Sequence, residues 1–581
     1  MAAFLFKFFS LFELSHRRKW MIIVSLLTSG TITLLSVAVP KIFRSIVDDI
    51  INHSPFENIV RYGLLFVGIA IIRASLSIFL SKHNGKFSKE LTTELRTKAL
   101  SRVLCGRLCN IESTTVGKTV SIIMSDTSDV CALLCNTCIP CVLDLIMIVG
   151  LLFAMFLCNW LLALLTLTTV PFLAWGSFIF RKRLNILVAE QRSINHTIAS
   201  KLNERIRSIR LVKSGAKERD EIKIFSAAFL ESNAIGIKET QIKAIISSTN
   251  EVINKVSSIA LFAFGGWLVI EHKMTFGRLV EYIAYASMLQ DSLLRIINIP
   301  LAFYDARPAI ACLYAYFYSR EILEPNDGDP LPCGDGCVEF RDVRFSYPVP
   351  ENRNLNNYLI PEKIMERPVL ANVNFRLDPG KMHAFMGVNG SGKSTIAALI
   401  SRFYDPTEGV ILLDGHDVKK HSLDSFRRQL GMAEQNAHLF KGSIRENLTY
   451  LCEEASADEI EYTCKLVGLD KIVALLPNGL DYMIGEIGIS LSEGQRQRIG
   501  LARALIRKPR LIVLDEALSS IDEESEIAIL NNLKVLRFKP TIVVISHSRS
   551  AIRICDRIFE VKDGRIVEAR MEAKSKVYEH A

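Results

Sequence analysis

The chain has 581 residues, of which 49% are apolar and 23% charged, and its formal net charge is +9. A mean hydropathy of +0.25 is high for a soluble protein, and the length leaves room for several domains of about 150 residues each unless part of it folds in lipid. The basic residues are not gathered on one soluble module with aromatic platforms, which excludes a nucleic-acid binder.

Residues 1–15, MAAFLFKFFSLFELS, resemble a secretion signal only superficially. The basic cluster HRRK at 16–19 follows the apolar stretch instead of preceding it, and no small-residue cleavage site is present. The stretch reads as a membrane-surface helix leading into a first span.

Six apolar runs follow, at about 20–43, 58–80, 139–158, 161–180, 246–270 and 279–302. Each is near the ~20 residues that cross a bilayer as helix. Trp20, Trp160 and Trp267 stand near run ends, as interfacial anchors do. Lys and Arg crowd the stretches 81–138 and 181–243, which places these segments, with the N-terminus, on the cytoplasmic side. The opposite links are short: 44–57 carries Asp48, Asp49 and Glu57, and runs three and four are joined by little more than Asn159-Trp160. The two long links, of about 60 residues, are helix-forming in composition, so the spans should continue as helices into the cytoplasm.

Thirteen cysteines are present. Cys135, Cys138 and Cys141 begin like an iron–sulfur ligand run, but the fourth ligand is missing and position 145 is Leu. Cys131, Cys135 and Cys138 fall at i, i+4 and i+7, one helical face on which Cys packs as a small hydrophobe. Cys105, Cys109, Cys333 and Cys337 lie in segments assigned to the cytosol, where thiols stay reduced.

Composition breaks at 324–336, EPNDGDPLPCGDG, a linker dense in Pro, Gly and Asp. Beyond it short β-branched runs alternate with amphipathic helices, the pattern of an α/β domain with a largely parallel sheet. The expected organisation is an α-helical polytopic membrane domain over 1–323 with six transmembrane helices, a linker over 324–336, and an α/β P-loop domain over 337–581.

Within that domain the strand HAFMGV runs into Gly387-Val-Asn389-Gly390-Ser391-Gly392-Lys393-Ser394-Thr395 and then a helix. This is G-x-x-x-x-G-K-[ST] in its required setting. Glycines let backbone amides close around phosphate, Lys393 reaches the β and γ oxygens, and the Ser394 hydroxyl suits Mg²⁺. The buried strand Leu511–Leu514 delivers Asp515, suited to the cation, and Glu516, suited to orienting or deprotonating a water. His547 follows TIVVIS, Gln435 follows LGMAE, and Tyr347 follows VRFS, where an aromatic could stack on a base. In LSEGQRQRIGLARAL, Ser492 stands as N-cap before Gly494 and a basic helix, whose start is an anion site.

Together these elements resemble the ATP-binding cassette, and with six preceding spans the whole chain is similar to an exporter-type ABC half-transporter of the bacterial lipid flippase and multidrug exporter group. The resemblance implies roles residue by residue. Tyr347 is the adenine-stacking aromatic. Gly387 to Thr395 form the P-loop. Gln435 senses Mg²⁺ and contacts the membrane domain, and Asp515 and Glu516 are the Mg²⁺ ligand and catalytic carboxylate. Asp522 is the D-loop aspartate, His547 the switch histidine and Glu486 part of the loop touching the membrane domain. Ser492, Gly494 and Gln495 belong to the signature loop, which acts on ATP held by the other subunit. A helix terminus contributes ~0.5–2 kcal/mol toward a partly buried anion, too little alone but useful as one wall of a composite site. A dimer, with a second copy or a paralogous half-transporter, is therefore implied, with ATP and Mg²⁺ as cofactors.

The sequence departs from the family pattern at Glu493, where a second glycine is commonest, at Ile521, usually Ala, and in a long insertion over 349–368. In the spans, charges cost several kcal/mol unless they face a cavity or partner. Arg73 stands where lipopolysaccharide flippases hold anionic head groups, but two further basic positions of that clamp are Leu143 and Asp291 here. Asp291 and Arg295, at i and i+4, could neutralise each other. The expected function is ATP-driven export of a lipid or amphiphile by alternating access, with peptide or drug export as the alternative and an ATP-gated channel behind both. The expected location is a bacterial inner membrane, with the ATP-binding domain cytoplasmic.

Overall fold

The computed structural model describes residues 16–112, 116–318, 324, 328–350, 364–485 and 491–569. Residues 1–15, expected as a surface helix, Glu486 and the centre of the 349–368 insertion lie outside the described residues. The chain divides into two compact units, Met1–Ser101 with Val116–Ser319, and Arg102–Thr115 with Arg320–Ala581. The second unit thus takes in a stretch of the first long link.

The first unit is helical. Its long elements are His16–Ile51, Phe56–Leu104 (shared with the second unit at its end), Trp160–Arg207, Glu218–Ile270 and Phe276–Tyr318, with a broken helical run over Val116–Cys158. Each of the six apolar runs lies inside one of these. Among the described residues four helices are long and apolar enough to cross a membrane. A fifth counts if the pair Phe276–Pro300 and Asp305–Tyr318, bent by 49°, is one span, and Trp160–Trp175 is a shorter apolar helix. Asn159 makes the tight turn between Ile139–Cys158 and the Trp160 helix. It is extended, with φ −165°. Its side chain caps the new helix by accepting from the N–H groups of Leu161 (3.0 Å) and Leu162 (3.2 Å), which satisfies two of the donors that a helix start leaves free. All four tryptophans are exposed on this unit.

The run Val116–Cys158 departs from the regular helix expected before the third span. It contains π turns at Ile122–Asp126 and Leu134–Cys138, and each widens the helix locally. The regular α-helical spacing that set Cys131, Cys135 and Cys138 on one face therefore does not hold across them. Cys131 and Cys135 are nonetheless buried and Cys138 half-buried, and no cluster of three potential metal ligands occurs among the described residues.

The core of the helical unit gathers Leu151, Met155, Leu162, Leu261, Leu268, Leu279, Tyr282 and Tyr285. Several polar groups packed into it are paired. Thr166 Oγ1 lies 3.1 Å from the Tyr282 hydroxyl, and the Tyr285 hydroxyl lies within 3.2 Å of the Val37 carbonyl and of Glu281 Oε1. Glu281, 1% exposed, accepts from Arg44 at 3.2 Å. This satisfies a carboxylate that would otherwise be costly to bury.

The second unit has two sheets. β1 (Val338–Pro350), β2 (Ile364–Leu377), β4 (Glu408–Leu413) and β5 (His416–Asp417) form an antiparallel sheet of order β2-β1-β4-β5. The central sheet uses β3 (Met382–Met386), β6 (Leu430–Glu434), β9 (Leu511–Asp515), β10 (Thr541–Ile545), β11 (Arg557–Lys562) and β12 (Arg565–Glu568), in the order β12-β11-β3-β10-β9-β6. All are parallel except β12. A small pair, β7 (Gly442–Ser443) and β8 (Met483–Ile484), stands apart.

The strands alternate strictly between two cores. Met382, Ala384, Ile512, Leu514, Ile542 and Val544 face one layer, whereas Phe385, Leu511, Val513, Val543 and Ile545 face the other. A strand buried on both faces has to be apolar throughout, which is why HAFM, LIVL and TIVVI carry no polar alternation. The ends of the insertion extend the β1–β2 hairpin, pairing Tyr347 with Arg367 and Pro350 with Ile364.

Candidate active site

Parallel strands bring their C-terminal ends to one edge. The order β3-β10-β9-β6 lines up, at about 4.8 Å per strand, the loop after Met386, His547, the Asp515-Glu516 pair and Gln435. Four segments far apart in the chain thus meet along one edge.

The loop from Gly387 to Gly392 joins β3 to the helix Lys393–Ile400. Gly387 has φ +154°, and a Cβ there would meet the Val561 carbonyl oxygen at 2.4 Å, so only glycine fits. Asn389 and Gly390 are exposed at the loop's tip, and Gly392, with φ +110°, opens the helix. The Lys393 ammonium donates to the carbonyls of Gly387 (2.8 Å) and Val388 (3.1 Å), and burial pushes its pKa down. The Ser391 hydroxyl is buried without a hydrogen-bond partner. An orphaned hydroxyl and a partly desolvated ammonium at the start of a helix fit a phosphate chain, which would supply the missing acceptors.

Ser394 donates to Asp515 Oδ1 at a long 3.5 Å. Burial raises the Asp515 pKa, with the Ser394 bond opposing the shift. An exposed hydroxyl and a desolvated carboxylate at this separation are oxygen donors of the kind a hard divalent cation takes. Glu516 has φ +51°, a left-handed backbone that a side chain adopts only when its surroundings enforce it. Its N–H is held by the Ile545 carbonyl at 2.9 Å, fixing it to β10. His547 Nε2 lies 3.5 Å from Glu516 Oε1. Tyr347 is half-buried, with its hydroxyl 3.2 Å from Thr395 Oγ1.

The signature helix Glu493–Leu505 begins with a capping box. Gln495 N–H donates to Ser492 Oγ (3.3 Å), and Ser492 N–H donates to Gln495 Oε1 (2.9 Å). Gln495, expected in the signature loop, is thus engaged in shaping the helix start. Ser492 is exposed at that start. A Cβ on Gly494 would meet the Ser520 carbonyl oxygen at 2.7 Å, so the signature packs tightly on the loop that leads to Asp522. Asp522 caps the next helix through the Ser525 N–H (2.9 Å) and faces Arg498 at 3.8 Å.

Sequence reading missed Gln497. It is 1% exposed, donates to the Gln435 carbonyl (3.0 Å) and to Ser519 Oγ (3.2 Å), and accepts from Ser520 N–H (3.0 Å). A polar residue on the apolar face of the signature helix was the available signal. In the helical unit, Asp144 was missed likewise. It is buried, and both its oxygens accept from Arg295 at 2.6–3.0 Å. Arg295 is therefore paired with Asp144 across two helices, not with Asp291, which is exposed. Bidentate geometry between near neighbours in space outweighs the i, i+4 proximity. Arg73 is exposed and forms no ion pair among the described residues.

A helical membrane region followed by a P-loop domain whose strand ends carry this set of residues defines an ATP-hydrolysing transporter. The chain belongs to the ABC transporter family: the family's transmembrane region matches residues 22–293 and its ABC transporter domain matches 370–519. It is 30% identical to the ATP-dependent lipid A-core flippase of Salmonella typhimurium over 95% of this chain and 94% of that protein. It is 28% identical to a flippase of the same name in Syntrophus aciditrophicus, over 94% of this chain and 87% of that one. The fold is that of a bacterial Atm1-family ABC exporter solved with ATP bound, with a TM-score of 0.83 at 22% identity over 97% of this chain and 99% of that one. The protein is an integral membrane, ATP-binding exporter.

Proposed function

We propose that two copies of this chain carry a lipid or lipid-like amphiphile across a bacterial inner membrane, driven by ATP held in two composite sites. Each site takes the P-loop, Asp515, Glu516, His547 and Gln435 from one copy and the signature start at Ser492 and Gly494 from the other. The observation carrying this reading is the Ser492 capping box. The box pre-orders a helix start whose first residues, Ser492 and Glu493, are exposed, on a helix that packs against the outermost strand β6, with two strands between that strand and β3 with its P-loop.

Ser394 and Asp515 would hold Mg²⁺, which would neutralise charge on the transferred phosphoryl group. Tyr347 stacks on adenine, Lys393 and the loop amides bind the phosphates, and Glu516 orients a water toward the γ-phosphorus and receives its proton. His547, beside Glu516, hydrogen-bonds that carboxylate and the departing phosphate oxygen. ATP closes the two cassettes, the spans turn outward, and hydrolysis resets them. Both half-sites carry the full residue set, which favours a homodimer over a paralogous pair and disfavours a channel. Lipid is favoured over peptide or drug by the names of the relatives. Arg73 is the basic residue left to meet an anionic head group, since Arg295 is engaged by Asp144.

The test is ATPase activity in proteoliposomes as candidate glycolipids and amphiphiles are added. A transported lipid shifts the rate severalfold, and stimulation by peptides or drugs but by no lipid would move the assignment to the alternative class.

A further inference from the structure

Tyr347 does not stand alone. Its ring meets Tyr404 edge-on, with centroids 5.2 Å apart and planes at 84°, and Phe345 at 4.8 Å and 82°. Phe345 and Tyr404 are themselves 5.6 Å apart at 64°. Three rings meeting edge to face fix one another's orientation. The Tyr404 hydroxyl in turn donates to Glu112 Oε2 at 2.6 Å, a short, charge-assisted bond. Burial and this carboxylate hold the Tyr404 phenol protonated well above its ordinary range.

Glu112 ends the short helix Leu108–Glu112, in the stretch Arg102–Thr115 that belongs to the same compact unit as Tyr404 although it precedes that tyrosine by 292 positions. A cavity of about 220 Å³ opens beside the rings, lined by Arg107, Cys109, Phe345, Pro348 and Tyr404 among others. On that side Tyr404 is not wedged by packing. The Glu112 carboxylate is what fixes its hydroxyl.

We infer that Glu112 is a positioning residue for the adenine platform: through Tyr404 it sets the orientation of Tyr347, so that the grip on the base depends on a segment lying between the second and third apolar runs. This rests on the reading of Tyr347 as the adenine-stacking aromatic. The triphosphate end of the site is untouched by the chain Glu112–Tyr404–Tyr347 except at Thr395, so the effect falls on recognition of the base.

The experiment uses the full-length protein in lipid nanodiscs with Glu112→Ala, Tyr404→Phe, the double variant and Tyr347→Leu. The KM for ATP should rise about three- to ten-fold in each single variant, the range expected from losing one oriented aromatic contact. In the Glu112 and Tyr404 variants kcat should stay within about two-fold, and the double variant should be no worse than either single. Inhibition by inorganic tripolyphosphate, which has no base, should be unchanged. An unchanged ATP KM in Glu112→Ala, additive effects in the double variant, or a parallel weakening of tripolyphosphate would each overturn the inference. Tyr347→Leu separates the two levels. If it raises the ATP KM while Glu112→Ala does not, only the role of Glu112 fails. If it leaves the KM unchanged, the reading of Tyr347 fails and the inference with it.

Discussion

The side-chain amide of Gln497 donates to the backbone carbonyl of Gln435 at 3.0 Å. One buried side chain in the signature helix thereby holds the loop after β6, and its other contacts reach Ser519 and Ser520 on the way to Asp522. The residues proposed to read the nucleotide's terminal phosphate and those proposed to read the partner subunit are tied together inside each copy.

Gln497→Leu removes the tie at nearly constant volume but leaves the Gln435 carbonyl and the Ser520 N–H without partners. The expected cost is ~1–3 kcal/mol of cassette stability, read as a lowered Tm. ATP affinity should stay near wild type while turnover falls ~10-fold or more. A variant with full turnover would show that the loops keep their places without it.

Glu516→Gln keeps the shape of the side chain and removes the base. ATP should still bind, hydrolysis should drop by ~10²–10⁴, and the closed dimer should accumulate. Cross-linking of cysteines placed across the two cassettes reads that accumulation. His547→Ala should lower hydrolysis ~10-fold or more through loss of one charge-linked hydrogen bond. Normal turnover in Glu516→Gln would remove this residue from the base role.

Gly494→Ala pushes a methyl group toward the Ser520 carbonyl oxygen, 2.7 Å from the ideal Cβ position. Backbone cannot yield as a flexible side chain does, so the start of the signature helix should shift. Because Gly494 faces the partner's nucleotide in the proposed dimer, nucleotide binding to one cassette should survive while ATP-driven dimerisation and hydrolysis fall together. Loss of binding itself would point to a local unfolding of the helix start.

Asp144 and Arg295 form a pair with the carboxylate nearly buried and the guanidinium half-exposed, at 10% and 54% side-chain exposure. Removing one partner of a fully buried pair costs ~3–5 kcal/mol, and the exposed face of Arg295 should reduce that to about 1–3. Asp144→Asn and Arg295→Gln should each lower Tm in nanodiscs, and the double variant should lose less than the sum. Additive losses would mean that the two residues act independently.

The cassette was the more legible half, because its chemistry is local in sequence. Gly387 to Thr395 is one unbroken stretch of sequence, and Asp515 and Glu516 follow directly on four apolar residues. Strand burial on both faces made β3, β9 and β10 readable as apolar runs. What escaped depends on pairs distant in the chain. Gln497 looks like one more polar residue in GQRQR until its face is known, and Arg295 could be given a partner four residues away only because Asp144, 151 positions earlier, was not yet beside it. A carboxylate inside the apolar run IPCVLDLIMIV was itself a signal. The π turns at Ile122–Asp126 and Leu134–Cys138 escaped because one residue inserted into a helix leaves composition unchanged.

The Tyr404–Glu112 bond also bears on how the polypeptide is made. The two partners are 292 positions apart. At a synthesis rate of roughly 5–20 residues per second, the ribosome needs about 15–60 s to travel from one to the other. Throughout that interval the short Leu108–Glu112 helix has already been synthesised while Tyr404, which donates to its last residue, does not yet exist. Membrane insertion can run ahead, yet the second compact unit becomes complete only when this early segment joins it. A protein truncated before residue 404 would leave the Glu112 carboxylate without its Tyr404 partner.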